Sequence, residues 1–378
     1  MRVSRRGTVD PFIVMDVMEA ARAAEAAGRS VIHMEVGQPG TPAPAAALAA
    51  AAAAMAAGPL GYTVALGLPE LRAGIAALYR RRHGIDLDPG RVIVTAGSSA
   101  AFVLAFTALF EAGDRVGLGL PGYPSYRHIL SALSLVPVGI ETRAAARFQP
   151  EPDALPGGLA GLILASPANP TGTMLGRPAL AALIATARDR GIAVVSDEIY
   201  HGISFGPRPV TALEVTDDVY VVNSFSKYFS MTGWRIGWMV VPPGHVRSIE
   251  RLAQNLFICP PHVGQVAALA ALDAGEELER NVAVYAANRA LVVAGLAAAG
   301  LPVAPPDGAF YAYADVSGLT GDARALAARI LAEAGVAVTP GVDFDPARGN
   351  RFIRLSYARS TAEVAEGMDR LAAFLARA

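Results

Sequence analysis

The sequence predicts an α/β fold: a mostly parallel central sheet sandwiched by helices, with a smaller α+β unit built from the N- and C-terminal segments. Two observations carry this. Short runs of branched apolar residues recur between residues 91 and 223, unalternating and separated by helical stretches, as in parallel strands buried on both faces. That rhythm then gives way to a long helical stretch over 276–300 and a different pattern of strands and closing helices. Length agrees, since 378 residues exceed one typical domain. The expected division is a large unit over 46–280 and a small unit from 1–45 and 281–378.

Residues 9–28 carry helical spacing (Ile13, Val17, Ala20, Ala24) and stop at Gly28. Residues 31–36 read as a short strand breaking at Gly37-Gln38-Pro39-Gly40. The alanine run over 43–57 reads as a buried helix closed by Gly58-Pro59; alanine is too weakly apolar, and Pro44 too disruptive, for a membrane span. Residues 61–67 form a loop and 69–82 a helix. Strands follow at 91–95, 115–119, 159–165, 192–196 and 219–223. The first leads through Gly97-Ser98-Ser99 into an apolar helix that ends by Ala112. Beyond the 276–300 helix, strands are expected at 309–314, 336–338 and 352–355.

Composition narrows the classes of function. Hydrophobic residues at 53% and charged residues at 17% are globular values. A net charge of −1 without a basic block argues against nucleic acid as a partner. One cysteine, Cys259, excludes an internal disulfide and a cysteine-based metal site; it reads as a small buried apolar residue. Asp10 and Pro11 arrive before any long apolar run, so no signal peptide is expected and the protein is placed in the cytoplasm. The six histidines show no ligand spacing, and no metal is expected.

Lys227 is the only lysine; every other one of the 32 basic residues is arginine. Arginine stays charged and grips anions bidentately, but it cannot supply a neutral primary amine. The lone lysine is therefore the candidate for amine chemistry, by condensation with a carbonyl or by moving protons. It sits among apolar and hydroxyl residues in Ser224-Phe225-Ser226-Lys227-Tyr228, not in a charged run.

In an open parallel sheet, ligands bind beyond the carboxyl ends of the strands. Four consecutive strand ends carry candidates. Gly97-Ser98-Ser99 offers free N–H groups, a helix dipole and two hydroxyls to a phosphate, although serine there is equally a plain cap. Asn169-Pro170-Thr171-Gly172 offers an amide, or only a turn. Asp197 faces the crevice and is followed by Tyr200, whereas Glu198 points elsewhere. Ser224, Lys227 and Arg235 follow the last strand, and Arg235 has the shape for bidentate phosphate contact or for a surface ion pair. Together these suit a phosphorylated aromatic aldehyde held covalently by lysine, with an acid on its pyridinium nitrogen.

A longer succession carries a resemblance: Gly37-Gln38-Pro39, Tyr62, Pro121-Gly122-Tyr123-Pro124, Asn169-Pro170-Thr171-Gly172, Asp197-Glu198-Ile199-Tyr200, Ser224-Phe225-Ser226-Lys227, Gly233-Trp234-Arg235-Ile236-Gly237 and Arg354-Leu355-Ser356-Tyr357, in this order. It resembles the class I/II aminotransferases of the aspartate aminotransferase superfamily, fold type I. The resemblance implies pyridoxal 5'-phosphate as cofactor and transfer of an amino group from an α-amino acid to a 2-oxo acid by a ping-pong mechanism. It implies that Lys227 forms the aldimine and shuttles the proton, and that Asp197 holds the pyridine nitrogen protonated. Tyr200 and Asn169 would bond the ring oxygen, and Tyr123 would stack on the ring. Ser98, Ser99, Ser224 and Arg235 would bind phosphate, with Tyr62 reaching across from the partner subunit of a homodimer. Arg354 would clamp the substrate carboxylate, helped by Asn169 and the Gly37 backbone.

Two other motifs are set aside. Gly117-Leu118-Gly119-Leu120-Pro121-Gly122 fits a dinucleotide fingerprint, but Pro121 and Pro124 oppose a helix starting within the glycines. Ser224-x-x-Lys227 matches the start of a serine β-lactamase pattern, which needs a second lysine that the chain lacks. A β-lyase, a decarboxylase or a cyclopropane-forming synthase would share these motifs, and a non-catalytic cofactor-binding regulator would need a DNA-binding module with no counterpart here. The donor's side chain would meet residues 9–15, Arg127, His128 and Phe257, from which no particular amino acid can be read. Arg127 is expected on the surface, and His201 to pack instead of lining the site.

Overall fold

The computed structural model describes residues 1–377. From the N-terminus come α1 (Ile13–Ala26), β1 (Ile32–His33), α2 (Ala45–Ala57), α3 (Pro69–His83), β2 (Val92–Thr95) and α4 (Gly97–Leu109). The middle holds β3 (Arg115–Leu120), α5 (Pro124–Ala132), β4 (Val136–Glu141), β5 (Gly161–Ala165), α6 (Arg177–Asp189), β6 (Ala193–Asp197), β7 (Tyr220–Ser224) and β8 (Gly237–Val240). Then follow α7 (Val246–Leu256), α8 (His262–Ala271), α9 (Gly275–Ala298), β9 (Tyr311–Asp315), α10 (Ala323–Arg329), β10 (Val336–Ala337), β11 (Thr339–Pro340), β12 (Phe352–Ser356) and α11 (Thr361–Leu375).

The central sheet has seven strands in the order β2-β8-β7-β6-β5-β3-β4, and only β8 runs against the rest. Strands β2, β7 and β8 are buried at every position, which is why their sequences show no alternation. Because β8 is antiparallel to both neighbours, Thr95 and Ser224 each pair with Gly237. The carboxyl ends of β2 and β7 and the start of β8 therefore meet at one edge. The chain between β7 and β8 leaves and returns there, carrying Lys227.

β9, β11 and β12 form a three-stranded antiparallel sheet, and β1 pairs with β10 in parallel, tying the N-terminal segment to the C-terminal part. Helix α9 is long and apolar enough to cross a membrane by length and composition. It packs instead against α11 and β9, and Asn288 on its buried face donates to the carbonyls of Tyr357 (3.0 Å) and Arg359 (2.7 Å).

Several elements differ from the sequence reading. The expected buried alanine helix hides only Ala47 and Ala51, against α8, and leaves Leu48 and Met55 exposed; a run without polar residues cannot signal which face is covered. The strand over 31–36 shrinks to two residues. α5 and β4 were not foreseen, because their prolines and glycine read as breakers. Pro124 instead occupies the first helical turn, and Pro137 and Gly139 are tolerated because β4 lies at the sheet edge. β8 was hidden inside the glycine-rich motif, and Cys259 is half-buried.

Trp238 on β8 is 1% exposed, packs edge-on to Phe225 at 5.1 Å between ring centroids, and donates to the Tyr79 hydroxyl at 3.3 Å. It props the Lys227 segment from beneath. Trp238→Ala should lower the free energy of unfolding by roughly 3–5 kcal/mol in urea titration, and an unchanged midpoint would contradict this packing.

Candidate active site

A cleft of about 230 Å³ opens at the edge where β2, β5, β6 and β7 end. It gathers Gly37, Ser98, Ser99, Tyr123, Asn169, Asp197, Tyr200, Lys227, Arg235 and Arg354, all expected from the sequence. Asp197 is the last residue of β6, in register with Ala165 on β5 and Val222 on β7, so its carboxylate leaves the sheet into the cleft.

Lys227 donates from Nζ to the Gly37 carbonyl oxygen at 2.6 Å. Burial, with the nearby charges of Arg354 and Arg235, lowers its amine to about 8, against a smaller opposing pull from Asp197. An amine in that range exchanges protons near neutrality. Gly37 is needed for the approach: a Cβ there would fall 1.8 Å from the Tyr311 hydroxyl. Asp197 accepts from the Tyr126 hydroxyl and from the Ile199 N–H at 3.0 Å. Burial raises its carboxyl to about 6, opposed by those two donors and by Lys227. The Tyr200 hydroxyl pairs with that of Tyr311 at 2.7 Å.

Arg354, on β12, is 2% exposed, and its guanidinium lies between the rings of Tyr311 (4.4 Å) and Phe344 (4.7 Å). One arm donates to Asn169 Oδ1 at 3.0 Å; the other donates to the Glu35 carbonyl and to Thr339 Oγ1 at 3.3 Å. Its buried Nε has no partner. A buried donor of a charged group left unpaired is costly, and an incoming carboxylate would relieve it.

At the other end of the cleft, α4 starts with Ala96 at its N-cap and has no side-chain cap, so Ser98 and Ser99 stand in the first turn with the helix N–H groups free. Gly97 has φ +77°, and a Cβ there would lie 2.2 Å from the Arg235 guanidinium. Arg235 donates to the Thr232 carbonyl at 2.9 Å and forms no ion pair among the described residues, so the surface-pair reading is not what the structure holds.

Two of the expected residues, Ser224 and Tyr62, do not line the cleft of this chain, and Tyr62 was expected to act from a partner subunit. The Ser224 hydroxyl bonds Ser226 Oγ (2.8 Å) and the Ile236 carbonyl (3.0 Å), and it is Ser226 that lines the cleft. Tyr62 is 83% exposed and lies outside the cleft of this chain. Sequence reasoning also missed Tyr126 and Tyr311. Tyr126 lies on the unforeseen helix α5, and Tyr311 carried no motif of its own. Arg127 is half-buried, not on the surface, and donates to the carbonyls of Asp343 (2.9 Å) and Phe344 (3.4 Å).

Residues 29–371 match the family described as aminotransferase class I and II. The chain belongs to that family. It is 46% identical to a valine–pyruvate aminotransferase of Mycobacterium tuberculosis, over 99% of this chain and 98% of that protein. The crystal structure of an aminotransferase from Mycobacterium tuberculosis superposes with a TM-score of 0.98 at 45% identity, covering both chains fully. Aspartate aminotransferase from Thermus thermophilus with maleate superposes at 0.93 with 32% identity, over 99% of this chain and 100% of that one. The protein is thus a fold type I, pyridoxal-phosphate-dependent transaminase acting on small amino and oxo acids.

The residues of the cleft suit that cofactor. An uncapped helix start beside an unpaired arginine suits its phosphate, a carboxylate at the far end suits its ring nitrogen, and a primary amine with a lowered pKa suits its aldehyde. In cofactor-free protein, labelling of Lys227 by an amine reagent, followed by peptide mass, should show a midpoint near pH 8, not 10.5. Between those values the folded chain binds fewer protons at Lys227 than the unfolded chain, so stability rises with pH there. Lys227→Met should flatten that rise; an equal slope in both proteins would contradict it.

Proposed function

We propose that this aminotransferase takes α-amino acids with uncharged, aliphatic side chains as donors and works as a cytoplasmic homodimer. The wall of the cleft supports the donor class: Phe12, Val14, Met15, Val36 and Ile199 are apolar, and the cationic residues on the lining are Lys227, Arg235 and Arg354. Arg127, the one arginine that could have met a second carboxylate, is committed to main-chain carbonyls. A donor carboxylate buried against that wall would stay unpaired, which is strongly unfavourable. The name of the valine–pyruvate relative agrees with this class.

In this reading Arg354 holds the substrate α-carboxylate, helped by Asn169 and the Gly37 backbone. Lys227 Nζ carries the proton to and from the substrate α-carbon. Ser98, Ser99, Ser226 and Arg235 hold the phosphate, Asp197 faces the ring nitrogen, Tyr123 covers the ring, and Tyr200 and Asn169 reach its oxygen. The bound cofactor supplies the aldehyde that accepts the amino group and the ring that stores the electron pair. Two copies would cover the exposed apolar succession Leu48, Met55, Leu60, Tyr62 and Val64 and bring Tyr62 to the neighbouring cleft. The chain divides into a large unit over 46–280 and a small one from 1–45 and 281–378, with α9 running through the division.

With pyruvate or 2-oxoglutarate as acceptor, kcat/KM for L-valine or L-leucine should exceed that for L-aspartate by about 100-fold. Equal use of L-aspartate would overturn the assignment. Asp343 accepts from the N–H groups of Ile13 and Val14 at 3.2 Å each and so holds the start of α1 over the cleft. Asp343→Ala should raise KM for aliphatic donors by about tenfold with a smaller change in kcat; loss confined to kcat would count against this role.

A further inference from the structure

Behind the cleft, directly after Asp197, lie two buried groups that the reaction as described does not use. Glu198 is 1% exposed and His201 is 4% exposed. Glu198 Oε1 accepts from the Ala212 N–H (2.8 Å) and from Ser196 Oγ (3.1 Å), while Oε2 has no donor. His201 Nε2 lies 3.0 Å from the Ser166 carbonyl. A carbonyl only accepts, so Nε2 carries a proton. In a neutral ring Nδ1 then presents a bare lone pair. It faces Glu198 Oε2 at 3.4 Å, and neither atom has a hydrogen-bond partner. Two bare acceptors facing each other in a dry interior are unfavourable, and a proton between them removes the cost.

We propose that Glu198 and His201 form a neutral pair, in which the Glu198 carboxylic acid donates to His201 Nδ1 and so positions, through Ser166, the loop that carries Asn169. The surroundings decide for the neutral pair over carboxylate and imidazolium. On β6, the Asp197 carboxylate neighbours Glu198 and opposes a second negative charge. From α3, the His83 ring lies 5.5 Å from the His201 ring, Arg82 Nη1 reaches the His201 carbonyl at 3.4 Å, and the buried Tyr79 hydroxyl faces Glu198. From the segment after β6, Arg208 adds positive charge near His201, and the Thr211 hydroxyl faces Glu198. Glu214 is occupied by Arg208, Arg177 and His83. Burial and then Asp197 push the Glu198 carboxyl up to about 8, against the donors on its oxygens. Burial, with His83, Arg82 and Arg208, holds His201 well below the ordinary histidine range.

The output is positional. Ser166 opens the loop, and its hydroxyl accepts from the Leu175 N–H at 3.0 Å; Asn169, three residues on, meets Arg354 at 3.0 Å. A neutral Glu198 also leaves Asp197 as the single anion beneath the cleft. The kinetic part of the test rests on the roles proposed for Asn169 and Arg354, whereas the spectroscopic part does not.

In cofactor-free protein at pH 7, the infrared spectrum should contain a protonated-carboxyl band that Glu198→Gln removes. Identical parent and Glu198→Gln spectra in that region would show an ionised Glu198 and overturn the proposal. In the loaded enzyme, Glu198→Ala should raise KM for the amino donor by about tenfold. Glu198→Gln, whose amide can still donate to Nδ1, should restore the parent KM and pH profile. A pH profile displaced in Glu198→Gln would mean that a charge had been removed beside Asp197, and would also overturn the neutral pair. If Glu198→Ala does not fold, the infrared band and the Glu198→Gln profile decide alone.

Discussion

The structure depends on seating one half-buried primary amine in the cleft with no ion-pair partner among the described residues. Lys227 Nζ is held by a neutral acceptor, the Gly37 carbonyl, while two arginines lie close enough to depress its proton affinity. Such an arrangement is unfavourable for folding below the amine's lowered pKa, because burial penalises the ammonium. It is tolerable only when the surrounding chain is over-determined, and the rest of the site supplies that determination. Gly37 lies hard against Tyr311, which pairs with Tyr200, while Asp197 is held by Tyr126 and Ile199.

Sheet register brings these groups together. One antiparallel strand, β8, returns beside β7 and β2, so that Thr95, Gly237 and Ser224 lie level. The uncapped start of α4, the Lys227 segment and Arg235 consequently share one edge, with Asp197 one strand further along. The three-stranded sheet contributes Arg354 on β12 and Tyr311 on β9, and the chain after β1 brings Gly37 between them. The groups suited to anions thus lie at two ends of the cleft, the uncapped start of α4 with Arg235 at one and Arg354 at the other, with the amine between. Spacing two anion-binding ends around a reactive amine is how binding energy orients a reacting centre.

Much of this could be read from residue order. A lysine alone among arginines declares a chemical role that arginine cannot fill, and acids or hydroxyls just past fully apolar strands declare a crevice. What stayed hidden was what depends on register and on third partners. Ser224 and Ser226 are chemically alike and two residues apart, and only the folded loop after β7 decides which hydroxyl meets the cleft. Tyr126 and Tyr311 reach Asp197 and Tyr200 across 71 and 111 residues of sequence, which no local pattern encodes. Arg127 looked like a surface charge because its partners are backbone carbonyls of Asp343 and Phe344, which leave no mark in composition. The alanines of α2 carry no polar face, so nothing in them announces which side would be covered.

The central claim is that the sole ε-amine of the chain is the group to which pyridoxal phosphate attaches. Borohydride reduction of the purified, loaded protein, followed by peptide mapping, tests it directly. The account predicts one pyridoxyl-modified peptide, with the added mass on Lys227 and nowhere else. A reduced protein with an unmodified Lys227 would contradict it.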